Sequence, residues 1–210
     1  MMAQGDTSVS ICNQALLLLG AESITSFADG TASSQACSTV YYMVLNSTLG
    51  MYSWSFTVAK IELAQSTATP VSEWKYQYIL PSDMLTGVPR AVRTSSSANA
   101  PLVRAFEINQ GGDGLPVLMT NETSIYIDYQ KAVAEAQMPP YFATLLVYQI
   151  AWHLAEVITD QTTKSEYWRA IAVGTPNEGL RGGYFRQAMN MDSAGNPPEV
   201  ISDYILTDIR

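Results

Sequence analysis

Few residues in this chain have side chains that could act as reagents, and their spacing limits what they could do. His153 is the single histidine, so neither a two-histidine metal site nor a relay through a second imidazole is available. A nucleophilic set would have to join His153 to one of two cysteines and a remote carboxylate, and no spacing favours that. Glu156 and Asp160 are the nearest carboxylate pair; at helix spacing they could ligate a cation or divide acid and base work, but a solvated helix face is the reading preferred for them. Cys12 and Cys37 are the only cysteines. Each sits in an apolar helical stretch without the paired spacing of a zinc or redox motif, and they read as reduced core thiols. Gly111-Gly112-Asp113-Gly114 is rich enough in glycine for a phosphate loop. It lacks the Lys-Ser/Thr ending, however, and Leu115-Pro116 cannot open the helix that such a loop requires, so it reads as a hairpin loop. No catalytic residue, metal or cofactor is assigned, and the chain is not expected to be an enzyme.

The elements that would position these residues fall into two periods. A helix is predicted from Ser8 to Leu19, with Cys12, Ala15, Leu16 and Leu19 on one stripe and Gly20 as its stop. Asp29-Gly30 turns the chain, Thr31 is a candidate N-cap, and a second helix runs to Met51. From residue 53 to 129 short alternating segments separated by turn residues predict a small antiparallel sheet. Two aromatic boxes mark the joints. Tyr52-Ser53-Trp54-Ser55-Phe56 lies between helix and strand, and Trp74, Tyr76 and Tyr78 share one face of a strand that Pro81 must end. Pro139-Pro140 starts a helix to Thr159. Another begins near Thr162 or Thr163, is broken at Gly174-Thr175-Pro176, and resumes around Leu180 to Met191. The expected fold is α+β: an antiparallel helical bundle (1–52 and 130–190), an inserted β subdomain (53–129) and a C-terminal tail (191–210) set off by Pro197-Pro198.

Charge narrows the function classes. A net charge of −8 with only 11 Lys and Arg argues against a nucleic-acid groove, where cations supply most of the affinity. Residues 141–158 are apolar enough to suggest a membrane span, but Gln149, His153 and Glu156 interrupt them, so a buried helix is expected. Met1 to Ser8 has no basic start, and Ala15 to Leu19 is too short for a signal core, so use without export is expected. Twelve tyrosines and four tryptophans without interleaved cations favour protein interfaces over base stacking. An assembly role is what remains.

The order Asn13-Gln14-Ala15-Leu16-x-Leu18-Leu19-Gly20, Ile24-x-Ser26-Phe27-x-Asp29-Gly30, Trp54-Ser55-Phe56 and Trp74-x-Tyr76-x-Tyr78-x-Leu80-Pro81-Ser82-Asp83 resembles the head-to-tail adaptor family of short-tailed bacteriophages, the tail tubular protein A group. Tyr126-Ile127-Asp128-Tyr129, Pro140-Tyr141-Phe142, Leu154-Ala155-Glu156 and Asp192 fall where that family has similar elements. The chain departs from it at Gly174 to Gly183, where the family pattern has an uninterrupted helix. The resemblance implies a structural virion protein of the tail or neck, assembled in the host cytoplasm. It would form a homo-oligomeric ring of about twelve copies between the portal protein and the downstream tail tube or nozzle, with no membrane partner. DNA would pass through without specific binding, and an acidic wall suits that passage because it repels phosphates.

The tail is the expected portal contact. Val200, Ile201, Tyr204, Ile205 and Ile209 form an apolar set too small for a core of its own, expected to be mobile in the free protein and buried on another chain in the assembly. Two other classes compete with the adaptor reading: a peptidoglycan hydrolase using Glu156 and Asp160 or another carboxylate pair, and a monomeric carbohydrate-binding module using the aromatic sheet face.

Overall fold

A computed structural model describes residues 7–195 apart from 69, 71, 98, 99 and 113. Among the described residues five α-helices and six strands make an α+β fold. Helix α1 spans Ser8–Leu19 and is capped reciprocally by Thr7 and Ser10: each backbone N–H donates to the other's hydroxyl, at 3.0 and 3.1 Å. Gly20, at φ 75°, ends it. Helix α2 spans Ala32–Met51 behind the Thr31 cap, and α3 spans Pro140–Thr159 with a proline at its first position. Helices α4 (Thr162–Val173) and α5 (Gly183–Ser193) complete the body. Among the described residues α3 is the one helix long and apolar enough to cross a membrane. Here it is the core helix, packed by α1, α2, α4 and α5 and burying Phe142, Leu145, Leu146, Ile150 and Leu154.

The chain from α2 to α3 holds strands β1 (Val58–Glu62), β2 (Tyr76–Ile79), β3 (Ala91–Arg93), β4 (Phe106–Gln110), β5 (Pro116–Thr120) and β6 (Tyr126–Gln130). The sequence predicts one small sheet, whereas the strands pair as two antiparallel triplets, β1-β6-β3 and β2-β5-β4. Two corners join the triplets. Beyond β1 the chain leaves β6 and pairs with β2: Ser66 N–H donates to Gln77 O at 2.8 Å and Ile79 N–H to Ala64 O at 3.1 Å. Ahead of β4, Val103 N–H donates to Val92 O at 2.8 Å, which ties that strand to β3 before it turns to β5. At these two corners the triplets meet, and the six strands wrap one small core as a partly closed barrel. Its interior holds Leu63, Tyr78, Leu80, Val92, Leu118, Ile125, Ile127 and Tyr129. Because both faces of a short strand near a corner meet protein, β2 buries Gln77 as well as Tyr78. Trp74 lies ahead of β2 rather than in it, its indole N–H donating to Glu107 at 2.9 Å.

The helical residues form a separate apolar cluster that shares no buried residue with the barrel interior. Trp54 is fully buried in that cluster, where the chain passes from α2 to β1. Its ring lies 4.9, 5.1 and 5.8 Å from those of Tyr52, Phe142 and Phe185, and its N–H donates to Thr48 O at 3.0 Å. From the barrel side, the Gln130 amide donates to Tyr52 O at 3.0 Å and to the Thr57 hydroxyl at 3.2 Å.

The break after α4 falls where Gly174 and Pro176 predict it, but helix resumes at Gly183 rather than near Leu180. Leu180 itself sits at φ 62° and Gly179 at φ 60°, which helical backbone excludes. Glu178 secures the turn by accepting from the Thr175 N–H at 2.7 Å.

Candidate functional site

Among the described residues, His153, Glu156, Asp160 and the two cysteines do not form one site. His153 stacks on Trp152 with ring centroids 4.3 Å apart, and burial pushes its pKa down. Glu156 is exposed, and Asp160 caps α3 in the left-handed region at φ 53°. Cys12 and Cys37 are both free and fully buried in the helical cluster. Contact with Cys37, then burial, drives the Cys12 thiol far above its ordinary pKa, so it stays a protonated apolar group. The glycine-rich segment joins β4 to β5 as a hairpin, with Gly111 N–H donating to Leu115 O at 2.8 Å. Among the described residues no three His, Cys, Asp or Glu side chains gather as a metal site.

The aromatic face of the sheet is turned inward. Tyr78 and Tyr129 are buried in the barrel, and Tyr76 and Phe106 pack against its interior. The polar recess outside β1, β6 and β3, about 210 Å³, is lined by Lys60, Glu62, Arg93, Tyr126 and Asp128 among others. Its charges face partners of their own: Lys60 lies 3.7 Å from Asp128, and Arg93 donates to Ala100 O at 3.0 Å.

The quoted sequence boxes act as clamps and joints. Asn13 holds the loop after α1 by giving and taking a hydrogen bond with the Ile24 backbone, both 2.8 Å. The Asp29 carboxylate accepts from the Thr25 and Ser26 N–H groups at 2.6 and 3.0 Å, which lowers its pKa. Phe27 packs on Tyr41, ring centroids 6.0 Å apart. Asp192, near the end of α5, is 4 % exposed; it accepts from the Ser55 N–H at 2.9 Å, the Ser55 hydroxyl at 2.7 Å and the Tyr141 hydroxyl at 2.6 Å. Burial, then that bond, pushes the Tyr141 pKa well up. One carboxylate thus fixes α5 to the start of α3 and to the helix–barrel joint. Sequence reasoning did not find this node, because its members lie far apart in the chain and only Ser55, beside Trp54, carries a local signal.

What the described surface offers is packing surface. Leu17 is 76 % exposed on α1, and Tyr42 and Met43 are each 55 % exposed on α2. The five tail residues Val200, Ile201, Tyr204, Ile205 and Ile209, expected to meet the portal, lie outside the described residues. No protein-family model and no curated protein matches the chain.

Proposed function

We propose that this chain is a structural head-to-tail adaptor of a short-tailed phage, a ring-forming protein between portal and tail that leaves a path for DNA. The observation that carries the reading is the pairing of an unassembled set of reactive groups with large apolar side chains held out on uncharged helices. Such a surface is suited to meeting protein. An acidic chain of net charge −8 also gives duplex DNA little to adhere to.

In this reading residues 196–210 reach the portal through Val200, Ile201, Tyr204, Ile205 and Ile209. Asp192 anchors α5 immediately ahead of them, so the segment leaves a fixed point. Extended, fifteen residues span roughly 50 Å, enough to cross onto an adjoining protein. Deletion of residues 196–210 is expected to leave the far-ultraviolet circular dichroism and unfolding midpoint unchanged while abolishing co-sedimentation with the portal. A truncated protein that still binds the portal with full affinity contradicts the assignment.

A further inference from the structure

The chain's only two cysteines are far apart in sequence and belong to no paired motif, yet the fold brings them together. Cys12 lies in the second turn of α1 and Cys37 in the second turn of α2, and both are fully buried in the helical cluster. The loop between the two helices sets this register. Asn13 exchanges hydrogen bonds with the Ile24 backbone, which folds the chain back along α1 to the residue next to Cys12, and Phe27 packs on Tyr41, one turn beyond Cys37. The two thiols meet in a hydrogen bond that Cys12 donates to Cys37. That bond keeps the proton on Cys12 and favours the thiolate on Cys37, where burial opposes it.

We propose that Cys12 and Cys37 are a redox pair, which a small-molecule disulfide oxidises to a crosslink that locks α1 to α2. The pair is independent of the adaptor reading. Sulfurs already in contact have only the remaining gap to close to a bond of about 2.05 Å. Oxidised glutathione is a sufficient oxidant. Cys37, its proton released to solvent, attacks one glutathione sulfur, forms a mixed disulfide and expels a glutathione thiolate. Cys12 gives its proton to that thiolate and attacks the Cys37 sulfur, expelling the second glutathione, which takes a proton from solvent. Two protein thiols thus lose two electrons and two protons, and one oxidised glutathione becomes two thiols. Access sets the rate. Neither cysteine is exposed, so the mixed disulfide forms when the first turns of α1 open locally, the motion to which a helix near a chain end is most prone. A reducing compartment keeps the pair as thiols, and an oxidising one closes it. Once closed, the crosslink restricts the unfolded chain between residues 12 and 37 and stops α1 from opening away from α2.

The test uses the full chain. It is incubated with oxidised glutathione in buffer and in urea just below the unfolding transition, and non-reducing peptide mapping by mass spectrometry follows both cysteines. A peptide pair joined through Cys12 and Cys37 is expected, with a rise of at least about 5 °C in the thermal midpoint that dithiothreitol reverses. Cys12→Ala and Cys37→Ala proteins treated in the same way should show no such rise, and Cys12→Ala should retain glutathione on Cys37, since the resolving thiol is gone. Both thiols remaining free in buffer and in urea overturn the proposal and leave two inert core thiols. Glutathione retained on the wild-type protein without the internal link, or a link between two molecules in its place, overturns it as well. A linked protein whose thermal midpoint is no higher than that of the reduced one overturns the lock.

Discussion

Asp192 and Trp54 serve the same joint by different means. Trp54 fills it with apolar ring surface, and the buried Asp192 carboxylate collects three donors from half-exposed neighbours, the Ser55 N–H and hydroxyl and the Tyr141 hydroxyl. Asp192→Ala removes the acceptor for the Ser55 backbone, the Ser55 hydroxyl and Tyr141 together, so a loss of about 3 kcal/mol is expected in urea unfolding; a change under about 1 kcal/mol would show that water replaces the carboxylate. His153 makes a separate prediction. Burial lowers its folded pKa below the unfolded value near 6.5, so the unfolded chain binds the proton more readily. Its contribution is fully present above pH 6.5 and is lost as pH falls through the folded value. His153→Gln should flatten the dependence of stability on pH just below 6.5, and a slope identical to wild type would contradict burial as its cause.

At the scale of elements, local chemistry explains which features were legible in the sequence. Helices α1, α2 and α3 begin and end where Gly20, Thr31, Met51, Pro140 and Thr159 indicate, because caps and proline act within one turn. The joining of the two strand triplets was not legible. It depends on Ala64, Ser66 and Val103 leaving one partner for another, and period-two alternation reads the same on either side of such a corner. The Asp192 node was not legible, because Ser55, Tyr141 and Asp192 come together only once α3, α5 and the helix–barrel joint are placed. The α4–α5 elbow supplies a test of its own. A Cβ on Gly183 would lie 2.5 Å from Ile171 O at φ 53°, whereas one on Gly179, at φ 60°, would meet nothing within 4 Å. Gly183→Ala is expected to destabilise by more than about 2 kcal/mol and Gly179→Ala by about 1. Equal effects in thermal unfolding would mean that backbone conformation alone governs both sites.

At the scale of the molecule, helical body and barrel have separate apolar cores tied by a short polar and aromatic seam. The body leaves Leu17, Leu18, Tyr42 and Met43 uncovered, and the adaptor proposal assigns this chain to a ring around a path for DNA. Electron microscopy of the purified protein, alone and mixed with the portal protein that the proposal pairs it with, tests that claim most directly. The account predicts closed rings seated coaxially on the portal with an open central channel. Monomers that leave the portal bare, or a two-fold dimer as the only oligomer in its presence, would contradict it.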